Sequence, residues 1–138
     1  VTSLEAMASQ SGAERVLALL DARMGEVYAA CYERTVEGYA LHGDIRVSPP
    51  TDVLLPTEAG WQACGNGLSA YPALLERVAA AGMPTNAAIL PLASSVAHIA
   101  AGKAARGEGV DPALAAPLYV RDKVAKTVAE RLSEGGRA

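Results

Sequence analysis

Arg15-Val-Leu-Ala-Leu-Leu-Asp-Ala-Arg-Met-Gly-Glu-Val-Tyr-Ala-Ala-Cys-Tyr-Glu-Arg34 is the stretch on which the fold turns. Residues 15–21 form an apolar run of strand length, the pattern of a strand covered on both faces. Residues 26–34 form a second strand: Val27, Ala29 and Cys31 point one way, Tyr28, Ala30 and Tyr32 the other. Only Ala22-Arg-Met-Gly25 lies between them, so the two strands form a hairpin, with Gly25 free to take positive φ.

Upstream, Thr2 or Ser3 caps a short helix over residues 2–10, with Leu4, Met7 and Ala8 on one face and Gly12 ending it. Downstream, a turn at Glu37-Gly38 leads to a third strand, Tyr39 to Val47. Ser48-Pro-Pro stops that strand, and Thr51 caps a short helix. The pattern then changes to βα units. Trp61–Cys64 is a strand, Gly65-Asn-Gly67 a turn, and Ser69–Ala81 a helix with Gly82 after it. Asn86–Leu90 is another strand, and Ser94 or Ser95 caps a helix with Val96, Ile99, Ala100 and Ala104 inward. Leu118–Asp122 reads as extended, and Lys123–Glu134 as a polar, weakly helical tail. The order β-β-β-α-β-α-β-α makes an α/β mixed sheet with an antiparallel edge, the ribonuclease-H-like pattern of each lobe of actin-like ATPases and sugar kinases.

Composition limits the function classes. The 138 residues are 51% hydrophobic and 20% charged, which excludes a disordered chain. Twelve Lys and Arg against 15 Asp and Glu leave no broad basic footprint for nucleic acid. No apolar run approaches the ~20 residues that cross a membrane, and no secretory leader is visible. Cys31 and Cys64 are too far apart for a redox or zinc pair and read as buried free thiols of a cytoplasmic protein. The two histidines, His42 and His98, have no ligand spacing, so no metal site is expected. Ser94 and Ser95 lack a GxSxG context or a base in view, so no catalytic nucleophile is expected.

Two clusters remain. Asp21, Arg23, Gly25, Glu26 and Tyr28 crowd the hairpin turn. They make either a polar patch facing a ligand or partner, or a turn held by an Asp21–Arg23 hydrogen bond with Glu26 solvated. Asp21 and Glu26 are also the one candidate carboxylate pair for acid–base work. Gly65 and Gly67 stand between a strand and a helix, where backbone N–H groups can meet a phosphate, or where a turn simply needs glycine.

Asp21-Ala-Arg-Met-Gly-Glu-Val-Tyr28, followed at a distance by Pro117-Leu-Tyr-Val-Arg-Asp-Lys-Val-Ala125, resembles the TsaB (YeaZ) family of tRNA threonylcarbamoyladenosine biosynthesis, formerly described as glycoprotease-like. Val1-Thr-Ser-Leu-Glu-Ala-Met-Ala8 resembles the stretch between that family's two lobes. The resemblance implies a C-terminal lobe: residues 1–14 a lead-in helix from an absent N-terminal lobe, 15–110 the lobe itself, and 111–138 a C-terminal segment. It makes Asp21, Arg23, Gly25, Glu26, Tyr28 and Arg121 signature positions of unassigned role, and Gly65 and Gly67 a degenerate nucleotide loop. It implies a non-catalytic platform whose partners are a TsaD-like catalytic subunit and a TsaE-like ATPase, with contacts mainly on the absent lobe and tRNA engaged indirectly. A homodimer is a further implication, and the fragment itself is expected to dimerise through the exposed edge of Leu118–Val120 or through the Ala-rich first helix. No cofactor is expected in this chain, and ATP only in the complete complex. The alternatives are a lobe of an ATP-dependent actin-like kinase or nucleotide hydrolase, and a metallopeptidase.

Overall fold

The computed structural model describes residues 1–121. Helix α1 (Ser3–Ser11) is followed by β1 (Arg15–Arg23), β2 (Glu26–Thr35) and β3 (Gly38–Ser48), then β4 (Trp61–Cys64), α2 (Gly67–Ala70), α3 (Pro72–Ala80), β5 (Thr85–Asn86) and α4 (Ala93–Ala105). The five strands lie in the order β3-β2-β1-β4-β5. The hairpins make β1, β2 and β3 antiparallel, and the βα crossovers add β4 and β5 parallel to β1. This is the meander plus alternating units expected from the sequence.

β1 is central and covered on both faces because its residues alternate between two cores. Leu17 and Leu19 meet Val27, Val53, Ala63, Leu68, Leu74 and Val78 under α2 and α3. Val16 and Ala18 meet Leu4, Met7, Ala30, Tyr32 and Cys64 under α1. Helix α1 is thus built into the lobe. Thr2 caps it, its Oγ1 accepting the Glu5 N–H at 3.1 Å and lying 3.0 Å from the Tyr32 hydroxyl. Gly12, at φ +71, ends it.

Several local expectations are corrected. The helix expected over Ser69–Ala81 is two helices broken at Tyr71, whose φ of −131° and ψ of 90° are extended. Pro72 causes the break, because a proline disfavours the helical region for the residue before it. β5 is two residues long, since Asn86 turns its Oδ1 onto the Ala88 N–H and ends the strand. Pro50–Asp52 is a 3-10 turn that Thr51 does not cap; its hydroxyl bonds Asp52 instead. Ser94 and Ser95 lie inside the first turn of α4, after the uncapped position Leu92. On α4, Val96 and Ile99 are only half-buried, and Ala100 and Ala104 are exposed. Leu118–Arg121 makes no strand, so the free edge expected there does not exist, although Leu118 and Tyr119 are exposed. The first helix offers no dimer face either: Leu4 to Ala8 are buried against the sheet. The expectation of a helical tail over Lys123–Glu134 lies outside the described residues.

Candidate functional site at the hairpin end of the sheet

The β1–β2 turn is tighter than its sequence suggests. The strands run on to Arg23 and resume at Glu26, leaving Met24 and Gly25 as a two-residue turn. Their φ values are +56° and +76°, and Arg23 is also left-handed at +62°, next to a register shift between Asp21 and Arg23. Consecutive left-handed positions at non-glycine residues cost of order 1–2 kcal/mol each, so their surroundings must hold them.

Asp21 does part of that holding. Its Oδ1 accepts the Arg23 N–H at 2.9 Å and lies 3.0 Å from the Tyr71 hydroxyl, and its Oδ2 is 3.4 Å from Arg23 Nη1. The bond from the Arg23 N–H, with Tyr71 and the Arg23 charge added against partial burial, sets the Asp21 carboxyl below the usual carboxylate range. Tyr71 is shifted upward by burial and by its bond to Asp21. Its hydroxyl also sits 3.2 Å from the Glu26 carbonyl. From the β4–α2 turn, Asn66 Oδ1 accepts the Asp21 N–H at 3.0 Å.

Arg121 holds the turn from the other side. It arrives from the segment after α4, with a side chain only 12% exposed. Nη2 pairs with the Glu26 carboxylate and lies 3.2 Å from the Ala22 carbonyl and 3.5 Å from that of Arg23. Nη1 is 3.7 Å from Met24 Sδ, and the guanidinium lies 5.9 Å from the centre of the Tyr28 ring. A planar cation with several donors suits this cluster of carbonyls and one carboxylate better than a lysine would.

All six signature positions therefore meet at one place. Asp21 and Glu26 do not form an acid–base pair: Asp21 faces Tyr71 and Arg23, and the Glu26 carboxylate faces Arg121. Glu26 is not freely solvated as one reading had it. Arg23 and Met24 point outward, the Arg23 side chain 88% exposed. Sequence reasoning missed Asn66 and Tyr71. Asn66 sat in a turn read only for its glycines, and Tyr71 in a helix read as unbroken. The Pro72 that extends Tyr71 was the available signal.

Gly65 and Gly67 lie where β4 turns against β1. A Cβ on Gly65 would stand 2.2 Å from the Leu19 carbonyl oxygen and 2.2 Å from Met7 Cε, at φ +113. One on Gly67 would stand 3.1 Å from the Leu19 carbonyl and 3.2 Å from Val27 Cγ1. Close backbone approach accounts for both. His42 sits edge-on to Trp61, its ring centre 5.8 Å away, and His98 lies on the exposed side of α4. Among the described residues no three His, Cys, Asp or Glu side chains are grouped to hold a metal ion. Cys64 is buried and Cys31 half-buried, both free; burial pushes their thiols up to about 12 and about 11, with Glu33 adding to the shift of Cys31. No described helix is long and apolar enough to cross a membrane.

No family model matches the chain. The tRNA threonylcarbamoyladenosine biosynthesis protein TsaB of Escherichia coli strain K12 is 34% identical, over 84% of this chain and 52% of that protein. Solved structures are similar as well. An uncharacterized Pseudomonas aeruginosa protein with similarity to peptidase YeaZ gives a TM-score of 0.73 at 36% identity, over 88% of this chain and 57% of that one. YeaZ from Pseudomonas aeruginosa gives 0.71 at 36% identity, over 86% and 57%. Over the matched region the chain belongs to the TsaB (YeaZ) family. Its mixed sheet is the ribonuclease-H-like, actin-like fold of those YeaZ structures. The chain spans about half the length of the TsaB relative it matches.

Proposed function

We propose that this chain is a non-catalytic lobe of a TsaB-type subunit serving the formation of N6-threonylcarbamoyladenosine at position 37 of tRNA. The observation that carries the reading is the 34% identity to a protein of that biosynthesis. The hairpin site supports the non-catalytic part. Both carboxylates there are committed to internal partners, and the group that fills the space beside them is the chain's own Arg121. In this reading the signature residues brace a turn, and Gly65 and Gly67 serve packing while keeping the outline of a nucleotide loop. A TsaD-like catalytic subunit and a TsaE-like ATPase are the partners, ATP belongs to the complete complex, and tRNA is met indirectly.

The test is to deplete the full-length protein that carries this lobe in its own cell and to quantify the modified nucleoside in digested tRNA by mass spectrometry. The level falls, and the full-length protein restores it. An Arg121→Ala version, expressed at equal abundance, restores it only in part. An unchanged level on depletion overturns the reading and makes ATP turnover by the full-length protein the next measurement.

A further inference from the structure

After α4 the chain is exposed at every residue from Gly107 to Tyr119. Among the described residues its hydrogen bonds stay local. The Gly107 and Glu108 N–H groups donate back to the Ala104 and Lys103 carbonyls, and the Ala113, Leu114 and Ala115 N–H groups donate to Asp111 and Pro112. No hydrogen bond ties this strap to the sheet before Arg121, although Val120 is half-buried beside the hollow edged by Ser48 and Leu54. A segment with so few buried contacts opens at low free energy. Its hold on the sheet rests on Val120 and on one largely buried guanidinium.

The place that Arg121 fills is shaped for that head group. Nη1 and Nη2 make all its polar contacts, whereas Nε is buried without an acceptor. Two of the acceptors are the carbonyls of consecutive residues, Ala22 and Arg23. Consecutive carbonyls of an extended strand point in opposite directions. Here both face one nitrogen, and the left-handed Arg23, at φ +62, is what turns them together. The backbone strain of the turn thus builds a feature: two carbonyls converge beside the Glu26 carboxylate and the Tyr28 ring. Such a set of acceptors with a π face suits a planar cation.

We propose that the hairpin end is a binding site for a guanidinium group, occupied in cis by Arg121, and that an arginine side chain of a partner protein occupies it in trans when the strap lifts. The inference does not depend on the proposed function.

Arg121→Met in the 138-residue chain tests it, because the methionine side chain ends where Nε stands and removes only the head group. The change lowers the thermal midpoint by about 5 °C. Guanidinium chloride at about 20 mM, far below denaturing levels, raises that midpoint by about 2 °C by filling the site. Sodium chloride and ammonium chloride at the same concentration do not. Guanidinium does not raise the midpoint of the wild type, and adding Glu26→Gln to Arg121→Met abolishes the recovery. A capped peptide with the sequence of Leu118–Arg121 shifts the amide resonances of Ala22, Arg23 and Glu26 in the Arg121→Met chain. It binds the wild type about tenfold more weakly, since Arg121 competes there at a millimolar effective concentration. Arg121→Gln carries the same titrations if the methionine variant does not fold. Absence of recovery by guanidinium overturns the proposal. So does equal recovery by the other salts, recovery that survives Glu26→Gln, or peptide binding of equal strength in wild type and variant.

Discussion

Two helices lie on the same side of the sheet, yet they are held in opposite ways. α1 has nine residues, five of them buried, with Met7 and Ala8 wholly removed from solvent. α4 has 13 residues and no buried one. What fastens α4 is polar. Lys103 Nζ lies 2.7 Å from the Glu5 carboxylate, itself only 10% exposed, and Gln10 Nε2 reaches the Leu90 carbonyl at 2.8 Å. Arg106 lies 3.7 Å from Glu37 on the β2–β3 turn. α1 is the poorer in alanine, with two in nine residues against six in 13 for α4. α1 drives Leu4 and Met7 into β1 and β2, whereas α4 packs on α1 and leaves Val96 and Ile99 only half-buried.

That contrast breaks most severely at Gly65, which sits against Met7. Gly65→Ala costs about 3–5 kcal/mol, from a left-handed φ and a Cβ driven into the Leu19 carbonyl. Chemical denaturation measures it, and Met7→Ala in the same chain relieves only part of the loss, because the carbonyl does not move. Met7→Ala alone costs about 2–4 kcal/mol as a buried deletion that leaves a cavity. Lys103→Met leaves the Glu5 carboxylate without its partner. Since Lys103 is a third exposed, solvent screens the pair, and the loss is about 1–2 kcal/mol, accompanied by faster amide exchange across α4. Ile99→Ala, half-buried on α4, costs about 1 kcal/mol or less. Equal losses at Met7 and Ile99 would remove the distinction between the two helices.

The hairpin adds a pH-dependent effect. The Asp21 pKa is lowered from 3.8 in the folded state. Its contribution to stability is therefore present above 3.8 and is lost as pH falls from there through the folded value. Asp21→Asn flattens that part of the acid limb in a plot of denaturation midpoint against pH. A variant as acid-sensitive as the wild type in that window would assign the acid limb to other carboxylates.

Much of the lobe was legible in order of residues. The continuous run of β1 announced an enclosed strand, the alternating residues of β2 a second strand beside it, and Gly25 the turn between them. Thr2 and Gly12 marked the ends of α1. The errors share a cause. A capping serine, an apolar helix face and an extended pentapeptide are local patterns with more than one solution, and contacts distant in sequence choose among them. Ser94 lost the cap to the chain path from Leu92, and Leu118–Val120 found no strand to join.

The signature cluster shows the same division. Local chemistry alone determined that Asp21 would hold the Arg23 N–H, because an aspartate two residues before a turn position reaches it within its own segment. Gly25, at φ +76, was likewise readable as the residue free to take positive φ in the connection. The partners of those residues came from elsewhere in the chain. Asn66 lies 45 positions, Tyr71 45 to 50 and Arg121 95 to 99 from the groups they bond in the hairpin, and nothing in their own neighbourhoods names those groups. Periodicity and turn chemistry act over a few residues and so can be read along the chain. Charge pairing and close backbone approach act through space, and exist only once the sheet has brought the two sides together.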